Sequence, residues 1–153
     1  MTPRLRAAGV AAGAIFLLAA AGCGGGGSNG VKGAQMTLSP KAQIRQNWLA
    51  FFDGSTPAAQ KAKLLQNGQR FSSVIKIEAS SPLAKKTAAK VKSVTMQGPS
   101  RATVVYSVLV AGKPALTNRT GEAVKTGGVW KVGDQSFCAL LGLQGSPPAG
   151  CSK

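Results

Sequence analysis

Side chains able to do chemistry are few in this 153-residue chain, and they are of restricted type. There is no histidine, so the commonest general base and the commonest neutral metal ligand are both missing. Serine–histidine and cysteine–histidine nucleophile pairs are thereby excluded. Acid–base work falls to four carboxylates, Asp53, Glu78, Glu122 and Asp134. Asp53 precedes Gly54 at a predicted helix end, and Asp134 stands just ahead of a predicted final helix, where a side-chain oxygen can cap free N–H groups. Glu122, in a predicted strand near Lys125 and Lys131, reads as half of a solvated cross-strand pair. Glu78, beside Lys76 at a helix end, reads as solvent-facing. No catalytic constellation emerges, no cofactor or metal is implied, and the chain is not expected to be an enzyme.

The three cysteines carry the remaining chemistry. Arg4 and Arg6 give a basic start, and an apolar run over residues 7–21, broken only by Gly9 and Gly13, has the form of a signal peptide. It falls short of the roughly 20 residues that span a bilayer. The run ends in Leu17-Leu18-Ala19-Ala20-Ala21-Gly22-Cys23, which resembles the lipobox of bacterial lipoproteins: small residues admit the chain to a peptidase cleft, and the cysteine sulfur takes a diacylglycerol thioether. Ala20 stands where that pattern most often has leucine. Lipidation of Cys23 leaves Cys138 and Cys151, which are expected to pair in an oxidising compartment. The loop of about 14 residues so closed is worth about 3 kcal/mol.

Charge points the same way. The chain carries 19 basic and 4 acidic residues; without Arg4 and Arg6 the balance from Cys23 onward is 17 against 4, or +13. Such an excess calls for an anionic partner or surface. Beside anionic head groups it gains up to about 1 kcal/mol per basic residue. Nucleic acid, the usual partner of such charge, is not expected for an exported protein. The run Lys85-Lys86-Thr87-Ala88-Ala89-Lys90-Val91-Lys92 is the candidate contact for anionic lipid or wall polymer, with Lys86 and Lys90 sharing a face if it is helical.

The organisation expected is a signal peptide over 1–22, a lipidated Cys23 and Gly-rich tether over 23–37, and a single α+β domain over 38–153. A Gly-rich tether of that length spans roughly 20 Å. Ser39-Pro40 and Thr56-Pro57 are helix starts. Ile44, Trp48, Leu49, Phe51 and Phe52 form the stripe of the first helix, Leu64 and Leu65 the apolar side of the second, and Phe71, Val74 and Ile75 that of a third, closed by Ser81-Pro82. Residues 83–89 allow one more helical turn before alternation sets in. Strands are predicted over 91–97, 102–111, 115–125 and 129–133, joined by hairpin turns into a consecutive antiparallel sheet, with a short helix over 136–143.

This order of elements, with Trp48-Leu49-Ala50-Phe51-Phe52-Asp53, Gly121-Glu122-Ala123-Val124, Val129-Trp130-Lys131-Val132 and Phe137-Cys138-Ala139-Leu140-Leu141, resembles the low-molecular-weight secreted antigen family of mycobacteria and related actinobacteria. The likeness covers residues 38–151. It implies a cone-shaped fold of the nuclear-transport-factor-2 and cystatin-like kind, a curved antiparallel sheet wrapped around a helix, and it implies no reaction. Such a cone leaves a concave apolar cavity at one end. By that fold analogy Trp48, Phe52, Phe71, Met96, Tyr106 and Trp130 are the candidate lining.

The function expected is that of a cell-envelope lipoprotein on the outer face of the cytoplasmic membrane, its domain binding a small apolar ligand or a partner protein. Docking of the basic domain on anionic lipid or wall polymer is the alternative. A cone-fold isomerase or dehydratase is the third reading, and it requires a carboxylate in the cavity. Oligomeric state is left open.

Overall fold

The computed structural model describes residues 37–145 and 148–151. The signal segment, Cys23 and the tether up to residue 36 lie outside them. The chain runs α1 (Pro40–Phe52), α2 (Ala58–Leu64), α3 (Ser72–Ser80), a 3-10 turn (Ala84–Lys86), β1 (Thr87–Met96), β2 (Arg101–Val110), β3 (Lys113–Thr126), β4 (Val129–Val132), α4 (Asp134–Gly142) and a terminal 3-10 turn (Ala149–Cys151). The strands pair antiparallel in the order β1-β2-β3-β4. The α+β class and the curled four-stranded sheet are those expected.

Helix α1 starts as its sequence dictates. Ser39 Oγ accepts the Ala42 N–H at 3.3 Å, and Pro40 occupies the first helical position. Ile44, Trp48, Phe51 and Phe52 form the buried stripe. Leu49, one residue round the helix from Trp48, lies 38% exposed instead of joining it. The helix is tied to both sheet edges: the Asn47 side chain donates to the Trp130 carbonyl at 2.8 Å, and the Arg45 guanidinium donates to the Val91 carbonyl.

Strand β1 begins at Thr87, four residues before the predicted start, so Ala88 to Lys90 extend the sheet and make no helical turn. The cause is tertiary. Thr87 to Val91 pair with Val110 to Tyr106 of β2, and that ladder outweighs the helix preference of an alanine- and lysine-rich run. The alternation is visible in the burial: Thr87, Ala89 and Val91 are half-buried, whereas Ala88, Lys90 and Lys92 are exposed.

Curl comes from irregularities in the ladders. The β1–β2 register shifts between Val91 and Ser93, which is where Arg45 meets the Val91 carbonyl. The β2–β3 register shifts on both sides of Val108. On β3 Asn118 takes a positive φ of 49°, a left-handed conformation that asparagine tolerates better than most residues. Such bulges bend a strand and sharpen its twist, so the sheet wraps α1. The β3–β4 hairpin turns on Gly127 and Gly128, both at positive φ, as its two central positions require.

Helix α4 is anchored at two points. Ser136 Oγ accepts the Glu122 N–H of β3 at 2.7 Å. Cys138 is bonded to Cys151 across a separation of 13 residues, as expected.

Candidate functional site

The sheet outreaches the helix it wraps. Helix α1 stops at Phe52, because Asp53 turns extended, while β2 and β3 continue past that level toward their hairpin. Among the described residues no helix fills the space beyond the last turn of α1, and a cavity of about 720 Å³ opens there. Phe52 closes its inner end; Val108 and Leu116 of the sheet, Ile75 of α3 and Leu141 of α4 are among its walls. Leu83 and Leu143, 65% and 53% exposed, stand at its rim. A largely apolar concavity of this size fits the 300–1,000 Å³ range, roughly, of small-molecule sites.

Of the six aromatic and sulfur side chains expected to line a cavity, the structure puts Phe52 on its wall. The other five are corrected. Trp48, Phe71, Tyr106 and Trp130 are at most 2% exposed and belong to the core, and Met96 packs half-buried against that core at the end of β1. The reason is the fit between the curled sheet and α1: the Trp48 ring meets Tyr106 edge-on at 5.0 Å and Phe52 at 6.2 Å, while Phe71 meets Phe137 at 5.4 Å. Rings stacked this closely fill the cone where the helix runs and leave the space to its far end. Burial pushes the Tyr106 hydroxyl pKa up to about 12, with nearby Arg119 opposing the shift, so the phenol is neutral at physiological pH.

Among the described residues two charged side chains line the cavity, Lys61 of α2 and Glu78 of α3. Lys61 Nζ donates to the Phe51 carbonyl at 2.6 Å and the Asp53 carbonyl at 2.7 Å, satisfying oxygens that the end of α1 leaves free. Burial lowers the pKa of this ammonium, and the Asp53 charge partly offsets that. Asp53 Oδ1 accepts from the Ser55 hydroxyl at 2.7 Å and the Ser55 N–H at 2.8 Å, and these bonds hold its carboxyl below the usual range.

The other acids are placed as follows. Asp53 makes the expected turn. Glu122 pairs with Arg101 across β2–β3 at 2.8 Å instead of with Lys125 or Lys131, an exposed pair worth little. Asp134 does not cap α4: it sits inside the first turn, where its charge favours the helix dipole, and accepts from Asn67 at 2.8 Å. Glu78 is half-buried on the cavity wall, not solvent-facing. Among the described residues no cluster of three metal-ligating side chains occurs.

The lysine run is divided by the fold. Lys85 and Lys86 are exposed on the 3-10 turn, between the wall residues Ala84 and Thr87, and are not themselves on the cavity wall: three residues per turn put Ala84 and Thr87 on one face and the two lysines on others. Lys90 and Lys92 are exposed on β1, on the face turned away from α1. Lys86 and Lys90 therefore share no helical face. Lys61 is not marked by the sequence, and Glu78 reads there as solvent-facing, because each is a single charge in a short helix with no spacing to mark it. The α4 wall had a signal, the apolar run Phe137-Cys138-Ala139-Leu140-Leu141, which reads equally well as core.

No described helix is long and apolar enough to cross a membrane. No curated protein and no solved structure matches the chain. Residues 37–148, almost the whole of the described domain, match the family described as low molecular weight antigen MTB12, C-terminal domain. By this match, with the helices-then-sheet order and the residues that carry the resemblance all present in one domain, the chain belongs to the low molecular weight antigen MTB12 family.

Proposed function

We propose that this chain is an exported, lipid-anchored envelope protein whose domain binds a small apolar ligand without transforming it. The observation that carries the reading is the apolar cavity of about 720 Å³ at the end of α1. Family membership supports a secreted or envelope location. The signal-like segment ending at Cys23 supports the anchor, since two acyl chains at about 0.8 kcal/mol per buried CH₂ make attachment stable. Exposed Leu83 on the cavity wall, with exposed Lys85 and Lys86 following it closely in the chain, supports contact between this side of the domain and anionic lipid. The non-catalytic reading draws on the acids: Asp53, Glu122 and Asp134 are engaged elsewhere, and Glu78 has no second titratable acid or base beside it on the wall except Lys61.

Filling the cavity tests the binding reading. Leu116→Trp places a large ring into the space, and binding of the neutral apolar dye Nile red, followed by its fluorescence, is expected to weaken at least about tenfold, a loss of roughly 1.4 kcal/mol. Unchanged dye affinity in a variant with native circular dichroism would place the dye elsewhere and remove the reading. The anchor has its own measurement. Mass analysis of the N-terminal peptide from native membranes is expected to show a diacylglycerol thioether on Cys23, and a free thiol there would refute lipid attachment.

A further inference from the structure

We infer that the cavity takes a single-chain amphiphile with an anionic head, its chain on the apolar walls and its head at Lys61. The inference rests on the reading of the cavity as a ligand site and names the chemistry of the ligand. Among the described residues Lys61 is the one basic side chain lining the cavity. Its ammonium is held in place by the Phe51 and Asp53 carbonyls, which take two of its three donors. The third has no acceptor among the described residues.

The electrostatics favour an anion at that position. A half-buried ammonium has lost part of its hydration, and two neutral carbonyls restore only part of what water supplied. The nearest acid is Asp53, which is not on the cavity wall and whose Oδ1 is occupied by Ser55. Glu78 is carried by a different helix, α3, and makes no ion pair with Lys61. A ligand carboxylate or phosphate entering the cavity therefore meets a fixed, under-solvated cation that makes no ion pair among the described residues, its nearest favourable company being the Asp53 charge and the Phe51 ring, whose centroid is 6.0 Å from Nζ. A neutral hydroxyl head could accept from the remaining donor only through an uncharged, weaker bond, and a head with no acceptor would leave that donor without a partner from the ligand. Beyond Lys61 the surface offers Phe52, Ile75, Val108, Leu116 and Leu141, side chains suited to a hydrocarbon tail and to little else.

Three C16 probes that differ in the head alone make the test: palmitate, hexadecanol and hexadecylamine, each titrated against Nile red bound to the purified chain at pH 8. Palmitate is expected to displace the dye at about tenfold lower concentration than hexadecanol, the worth of one charge-assisted hydrogen bond, and hexadecylamine to be the weakest. In Lys61→Met the palmitate advantage should fall to within about twofold while hexadecanol is unaffected; Lys61→Arg should retain it. Equal displacement by palmitate and hexadecanol in the unmodified chain, or a preference for the amine, overturns the inference and leaves the cavity reading standing. Failure of every probe and of the dye to bind overturns both. The ratio in the unmodified chain decides the matter even if Lys61→Met is too unstable to study.

Discussion

Trp48→Ala is expected to lower the unfolding free energy by about 4 kcal/mol and the Tm by roughly 15 °C. Trp48 is 1% exposed and stands at the centre of the aromatic stack, against Phe52 and Tyr106. Its ring lies over Gly121 so closely that a Cβ there would come within 2.8 Å of it. Removing the ring empties a space walled by rigid neighbours that cannot collapse into it, which is the condition under which large-to-small changes cost most. The same contact gives a second readout. Gly121→Ala should be clearly destabilising in the native background and much less so once Trp48 is alanine, because the ring contacts at 2.8 and 2.9 Å are then gone and Ser136 Oγ, at 3.1 Å, is the close neighbour left. Thermal unfolding of the two single variants and the double variant measures this coupling. A loss below about 1 kcal/mol for Trp48→Ala, or additive effects in the double variant, would show that the ring does not pack where the structure puts it.

Breaking the Cys138–Cys151 bond should cost about 3 kcal/mol, the loop-closure entropy for a crosslink across 13 residues. The bond ties α4 to the terminal 3-10 turn, whose Gly150 is pressed against Phe71 at a distance that would leave a Cβ only 2.8 Å from that ring. Helix α4 in turn supplies Phe137, Leu140 and Leu141 to the cavity wall. Reduction should therefore weaken Nile red binding as well as stability. Guanidinium unfolding of the oxidised chain, the reduced chain and Cys138→Ala/Cys151→Ala separates crosslink from packing: both sulfurs remain in the reduced chain, and only the double variant loses their contacts with the core. Identical midpoints for the oxidised and reduced chains would mean that the bond does not restrain the unfolded state.

The cavity depends on both features, one at each end. The aromatic stack plugs the part of the cone occupied by α1, and the disulfide-held α4 stands along the part that α1 does not reach. Mutations in the stack should move stability, whereas mutations at Leu116 or Lys61 should move ligand affinity.

Local signals in the sequence were sufficient for the elements whose patterns are short-range. Ser39-Pro40 marked the start of α1, the spacing of Ile44, Trp48, Phe51 and Phe52 marked its buried side, and the glycine pair after Thr126 marked the last hairpin. These depend on capping geometry, on a helical repeat and on the φ that a tight turn demands, all of which are set within a few residues. The start of β1 was not legible in the same way, because an alanine- and lysine-rich run becomes a strand only when β2 is there to pair with it.

The sequence by itself determined the class of the domain, the pairing of its two C-terminal cysteines and the absence of any histidine-based chemistry, since each follows from residue type and order. Only the tertiary structure decided which aromatic side chains are core, that the lysines from Lys85 to Lys92 are divided between a 3-10 turn and a strand, and that Lys61 and Glu78 line the cavity. The physical reason is the difference in length between α1 and the strands that curl around it. A cavity created where one element stops short of another is a property of their assembly, and neither element carries a mark of it in its own residues.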